Sequence, residues 1–148
     1  MAARPRPTAH EAAQRLLAAR EKTRAQLEQA LLRKGYSHDE VLEVIARLST
    51  LGLLSDRRAA ELHARKGFEA KQSVAAVTRK LTTLGVAEEE VDEVVARVGD
   101  DVGHEDEAAA RELLRKRGLS GVKAARFLAG RGFDEALVRR LVRLEEGE

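Results

Sequence analysis

Cysteine is absent from this chain of 148 residues. Disulfides, thiolate metal sites and thiol nucleophiles are therefore excluded together, and a reducing, cytoplasmic setting is the expectation. Tryptophan is absent too, and one tyrosine and three phenylalanines are the only aromatics. That is too few for a surface that stacks successive bases of a single strand. The two prolines, Pro5 and Pro7, lie near the start, so nothing after them breaks a helix. No apolar run approaches the ~18 residues of a membrane span. Residues 1–8 carry arginines with no apolar stretch behind them, unlike a secretory signal, and are expected to form a short disordered basic tail. No Gly-x-x-x-x-Gly-Lys-Ser/Thr loop is present to cradle phosphates.

What the chain has in plenty is helix formers. It holds 25 alanines and 20 leucines, and 35% of its residues are charged, a balance that points to an all-α protein. It also repeats itself. Gly35, Gly85 and Gly132 each close an apolar-periodic stretch and precede Tyr36, Val86 and Phe133. Twelve residues before each glycine stands a hydroxyl, at Thr23, Ser73 and Ser120. A hydroxyl N-cap, three turns and a glycine just past the end describe one helix, written three times.

A second start follows each glycine, at Ser37, Ala87 and Asp134. The stripes behind them are Val41, Val44, Ile45, Leu48, then Val91, Val94, Val95, Val98, then Val138, Leu141, Val142. Spacings of three and four place each set on one helical face. A further helix precedes each hydroxyl, over about 9–21, 56–68 and 105–117, with Asp56 and the pair Asp100-Asp101 as starters. Gly52, Gly67, Gly99 and Gly118 are expected to punctuate the ends. The expected fold is three tandem three-helix repeats over 9–52, 53–99 and 100–148, forming an elongated array.

Formal net charge is only +2, from 27 basic and 25 acidic residues, but its distribution is uneven. Residues 1–85 lean basic, residues 86–107 hold ten acids and one base, and residues 108–143 hold ten bases and three acids. Two basic ends around an acidic belt suit a polyanion or an acidic protein surface, with the belt facing elsewhere. A solvated helical surface accounts for the same pattern without any partner. Within the last stretch Arg111 and Arg115 are four apart, Lys116 and Arg117 follow, and Lys123 and Arg126 are three apart. These six are candidates for contact with nucleic acid. In the last helix Arg139, Arg140 and Arg143 project away from the apolar stripe.

A catalytic set is missing. His10, His38, His63 and His104 share no i,i+4 pairing, so no metal site or cofactor is expected, and an enzyme is not. His104-Glu105-Asp106-Glu107 resembles hard-metal ligands, yet consecutive residues point to different sides of a helix and are expected to form a solvated first turn. Tyr36 and Phe133, each just past a glycine, are expected in the core.

These residues carry a family resemblance. Ala13, Leu16-Leu17, Arg20-Glu21, Thr23-Arg24 and Leu27, followed by Leu31 and Lys34-Gly35-Tyr36, resemble the opening repeat of the RecX family of bacterial recombination regulators. Leu51-Gly52-Leu53-Leu54-Ser55-Asp56 is similar to that family's inter-repeat stretch, and Phe127-Leu128 with Arg131-Gly132-Phe133 to its closing motif. The chain departs at Ala59, Ala60 and His63, where the family carries a Phe-Ala pair and an aromatic, and at Ser73, Ala75 and Ala76. Phe68 is placed to replace the lost aromatic volume. The resemblance implies a curved array that binds the RecA protein and its filament on single-stranded DNA, restraining ATP hydrolysis, filament extension and strand exchange. Arg20, Lys34 and Arg131, which rest partly on the family pattern, are candidate filament contacts together with Arg24; charge geometry adds Arg139, Arg140 and Arg143, and for Arg20 an intramolecular pair with Glu21 or Glu28 is an equal alternative. The alternative is a helical module that binds DNA directly. No membrane partner is expected, and an array with polar ends is expected to be a monomer.

Overall fold

Hydroxyl caps and left-handed glycines set the helix limits in the computed structural model, which describes residues 5–146. Among the described residues nine helices follow one another. They are α1 (Ala9–Ala19), α2 (Arg24–Arg33), α3 (His38–Thr50), α4 (Asp56–Glu69), α5 (Val74–Thr83), α6 (Glu88–Val102), α7 (Asp106–Arg117), α8 (Gly121–Gly130) and α9 (Glu135–Glu146). Thr23 and Ser37 form reciprocal capping boxes with Gln26 and Glu40. Ser73 Oγ accepts from the Ala76 amide at 3.0 Å. Ala87 has no side chain able to cap, and three glutamates in the first turn of α6 complement the dipole instead.

The first two stripes are buried where the spacing places them; in the third Val138 and Leu141 are buried and Val142 is half-buried. Val41, Val44, Ile45 and Leu48 are at most 8% exposed, and Val91, Val94, Val95 and Val98 at most 6%. Burial of a side chain of this size contributes about 1.5–3 kcal/mol, so one charged residue in a stripe would offset much of a domain's net stability. Tyr36, Phe68 and Phe133 are buried as the sequence predicts.

Contacts divide the chain into two compact units. The first comprises Met1–Ala60 with Leu84–Val86, and the second Glu61–Thr83 with Ala87–Glu148. In the first, α1, α2 and α3 enclose a core around Leu27, Leu31 and Leu48. In the second, α7, α8 and α9 enclose one around Leu114, Leu128 and Phe133. The predicted tail falls partly outside the described residues. Of its described part, Arg6 donates to the Lys34 carbonyl and lies over the Tyr36 ring, while Tyr36 Oη donates to the Pro7 carbonyl.

Each unit holds one joint of the same design. In the first, the buried Thr23 hydroxyl donates to the Leu84 carbonyl at 2.5 Å, and Asp56 Oδ1 accepts from the Arg24 amide at 2.7 Å. In the second, Ser73 Oγ lies 3.2 and 3.0 Å from the Arg131 and Gly132 carbonyls, and Asp106 Oδ1 accepts from the Val74 amide at 2.9 Å. Glycine is required at the turn in both. At Gly85, with φ +88°, a Cβ would lie 2.5 Å from the Cβ of Ala25; at Gly132, with φ +85°, it would lie 3.0 Å from Ser73 Oγ.

Three expectations are corrected. Gly67 and Gly99 do not end helices; they lie within α4 and α6, where Gly67 permits a close approach and Gly99 faces the Phe68 ring at a distance that would also admit a Cβ. Asp100-Asp101 starts no helix, because α6 continues through it to Gly103, which takes the left-handed cap. The predicted solvated turn at His104 is not solvated there. Its side chain is 4% exposed, its Nε2 lies 2.7 Å from Asp106 Oδ1, and its ring lies against Phe68.

Candidate interaction surface

Charge on a helix projects wherever the apolar stripe does not, so the buried stripes fix which cations face outward. Most of the predicted positions fall into three groups. Arg20, Arg24 and Lys34 are exposed in the first unit, at the ends of α1 and α2. Glu21 pairs with Arg58 at 2.6 Å, not with its neighbour Arg20. Lys34 lines a groove of about 380 Å³ with Arg6 and Arg15, over a floor that includes Pro7, Leu16 and Tyr36. Sequence reasoning misses Arg6 and Arg15; the one signal is the position of Arg15 beside Leu16 of the opening motif, and Arg6, in the predicted tail, gives none.

The second group meets on an aromatic ring. Arg117, at the end of α7, and Arg131, just past α8, both lie over Phe127, at 4.8 and 5.0 Å from its centroid. Such contacts are worth about 0.5–1 kcal/mol each at exposed sites. Here they hold two guanidiniums on one support. The sequence shows Phe127 only as part of the closing motif. Its role depends on a residue ten positions upstream, at the end of another helix.

The third group lies on α9. Arg139, Arg140 and Arg143 line one open cleft of about 450 Å³ with Ala136 and Leu144. Their charges are not equally available. Arg139 pairs with Glu135 at 2.5 Å, and Arg140 with Glu107 at 3.2 Å. The other oxygen of Glu107 takes Arg111 at 3.1 Å, so one carboxylate ties a predicted filament contact to a predicted nucleic-acid contact. Glu107 belongs to the acidic belt, which therefore does not face wholly elsewhere; Asp106, in the same belt, caps α5.

Of the remaining nucleic-acid candidates, Arg115, Lys123 and Arg126 are exposed and outside these groups. Lys116 is engaged by Glu112 at 3.3 Å, and the other oxygen of that carboxylate takes Lys71 at 3.3 Å. Hydrogen bonds from Lys71 first, then Lys116, hold the Glu112 carboxyl below its ordinary pKa. No group of three or more His, Asp or Glu able to hold a metal is found among the described residues. No described helix is long and apolar enough to cross a membrane.

Residues 9–48 match the family model described as the first three-helix domain of RecX. "Regulatory protein RecX" of Halorhodospira halophila is 36% identical over 137 residues, covering 87% of this chain and 83% of that protein. The chain belongs to the RecX family. Its RecX relative in Streptomyces coelicolor is 33% identical over 150 residues, covering 90% of this chain and 77% of that one. The crystal structure of RecX from Lactobacillus salivarius superposes with a TM-score of 0.71, covering 95% and 96% of the two chains. At 17% identity that likeness speaks for the fold, which is all-helical here as well. Arg20, Arg24 and Lys34 lie inside the stretch that the RecX model matches, whereas the groups on Phe127 and α9 lie beyond it.

Proposed function

We propose that this RecX-family chain is a non-catalytic regulator of the RecA recombinase, acting in the cytoplasm on the filament that RecA forms on single-stranded DNA. The observation that carries the reading is the 36% identity to a regulatory RecX protein over most of both chains. Cations clustered on helix ends and on α9 support it, since they suit the acidic surface of a protein or nucleoprotein polymer. Three repeats supply several weak contacts, and each gains from the others through effective concentration. The filament state that these contacts fit is favoured, and the state needed for extension or ATP turnover is depleted.

The test is RecA ATPase on single-stranded DNA with the chain titrated in. Substoichiometric protein is expected to lower hydrolysis, and unchanged hydrolysis at saturation would sink the reading. For the α9 group, neutral substitution separates contact from packing better than charge reversal, which would set new glutamates beside Glu135 and Glu107. Arg139→Gln, Arg140→Gln and Arg143→Gln together are expected to cost ~1 kcal/mol or less in stability. Inhibition is expected to weaken several-fold. Inhibition explained wholly by DNA sequestration would transfer the activity to direct DNA binding.

A further inference from the structure

Seven and six residues before the hydroxyl that starts its second helix, the first repeat carries Leu16-Leu17 and the third Leu113-Leu114. The middle repeat carries Lys66-Gly67 at that spacing before Ser73. Its core volume comes from the next residue, Phe68, which is 2% exposed. Gly67 lets α4 and α5 close on each other, since a Cβ there would lie 2.8 Å from Val77 Cγ2 and 2.9 Å from Gln72 Oε1. Alongside this approach lies an open cleft of about 430 Å³ lined by Lys66, Arg79, Lys80, His63, Gln72 and Thr83. Lys66, Arg79 and Lys80 are exposed and form no ion pair among the described residues.

We propose that this cleft binds backbone phosphates of a nucleic acid, and that the middle repeat alone carries it. Three cations from two helices, with an amide and a hydroxyl beside them, are the donor set that phosphodiester oxygens take. Ala76 is the only apolar side chain lining it. An acidic peptide would find charge there but no seat for an apolar anchor, and such anchors carry most of the energy at peptide and protein interfaces. The imidazole of His63 is the one ring lining the cleft, and no Phe, Tyr or Trp joins it, so successive bases find no stacking platform and binding is indifferent to sequence. Segment charge hid the site, because residues 71–85 contribute only three bases and Lys66 lies outside them.

Lys66 and Lys80 also sit in the last turns of α4 and α5, where a cation complements the helix dipole. The experiment must separate that local role from binding. The full chain is titrated against fluorescein-labelled oligothymidylate, followed by anisotropy across a salt series, with no recombinase present. A labelled duplex and polyglutamate form the other arms. The parent is expected to bind oligothymidylate with log affinity falling linearly in log salt. Lys66→Gln, Arg79→Gln and Lys80→Gln together are expected to weaken binding ~10-fold or more at low salt and to flatten the slope by about 2, near 0.7 for each phosphate no longer neutralised. The melting temperature should hold. Comparison of the strand with the duplex tells which nucleic acid supplies the phosphates. Absence of binding by the parent overturns the proposal, as does a variant with the same affinity and slope. A lowered melting temperature with unchanged binding would leave only the dipole role. Tighter binding of polyglutamate through the same residues would make the cleft a peptide surface. Every arm omits RecA, so these outcomes are independent of the proposed regulation.

Discussion

Thr23 and Ser120 occupy the same position in the first and third repeats, and the structure treats them oppositely. Thr23 is fully buried, accepts from the Gln26 amide and donates to a carbonyl 61 residues away. Ser120 is exposed, makes no side-chain capping bond, and precedes a glycine with φ +60°. Ser73 behaves like Thr23 in the second unit. A local signal that starts a helix thus becomes part of a joint only where chain farther along supplies an acceptor. Hydroxyl capping is worth about 1 kcal/mol wherever it is made. The joint adds a buried hydrogen bond, so removal of the Thr23 hydroxyl strands the Leu84 carbonyl as well as the capped Gln26 amide.

The largest effect should come from the turn that faces the hydroxyl. Gly85→Ala combines a left-handed backbone with the approach of 2.5 Å to Ala25, and is expected to cost about 3 kcal/mol by chemical denaturation. Gly52→Ala, at φ +74° with nothing within 4 Å, should cost only the backbone strain of about 1–2 kcal/mol. Equal losses would show that the joint is not tightly packed.

Next come the hydroxyls. Thr23→Val keeps the volume and strands the Gln26 amide and the Leu84 carbonyl, for an expected loss of about 2 kcal/mol, or roughly 4–8 °C in Tm. Ser73→Ala should lie close behind. Acid sharpens the comparison within the second unit. Glu112 has a lowered pKa when folded, so its contribution is complete above the ordinary carboxylate pKa and is lost as pH falls through the lowered value. The stability difference between the parent and Glu112→Gln should therefore close on acidification, and a gap that persists at low pH would place its origin outside the lysine contacts. The smallest effect belongs to Ser120→Ala, expected within ~0.5 kcal/mol of the parent.

Legibility follows the range of the interaction. Thr23, Ser37 and Ser73 are readable as helix starts because a cap acts within three residues. The acceptors at Leu84 and Gly132 are not, since nothing near position 23 or 73 reports on chain some sixty residues on. Gly67 and Gly99 read as stops because an absent side chain looks alike in a sequence whether it frees the backbone or admits a neighbour. His104 reads as solvated because the ring that packs against it, Phe68, lies 36 residues earlier in the chain, even though its polar partner Asp106 is only two residues on. The α9 arginines are legible as an outward face from the stripe behind them. That Glu135 and Glu107 already engage two of them is not, because a charge tally by segment does not resolve pairs.

One contact in the first repeat is made by a different kind of donor from its counterparts. The Lys34 carbonyl stands at the position in its repeat that Leu84 and Arg131 hold in theirs, and those two accept from the hydroxyls of Thr23 and Ser73. At Lys34 the donor is the guanidinium of Arg6. The same backbone position is thus sealed by an uncharged hydroxyl at Leu84 and at Arg131 and by a cation at Lys34, so this one seal brings a positive charge to the backbone with it.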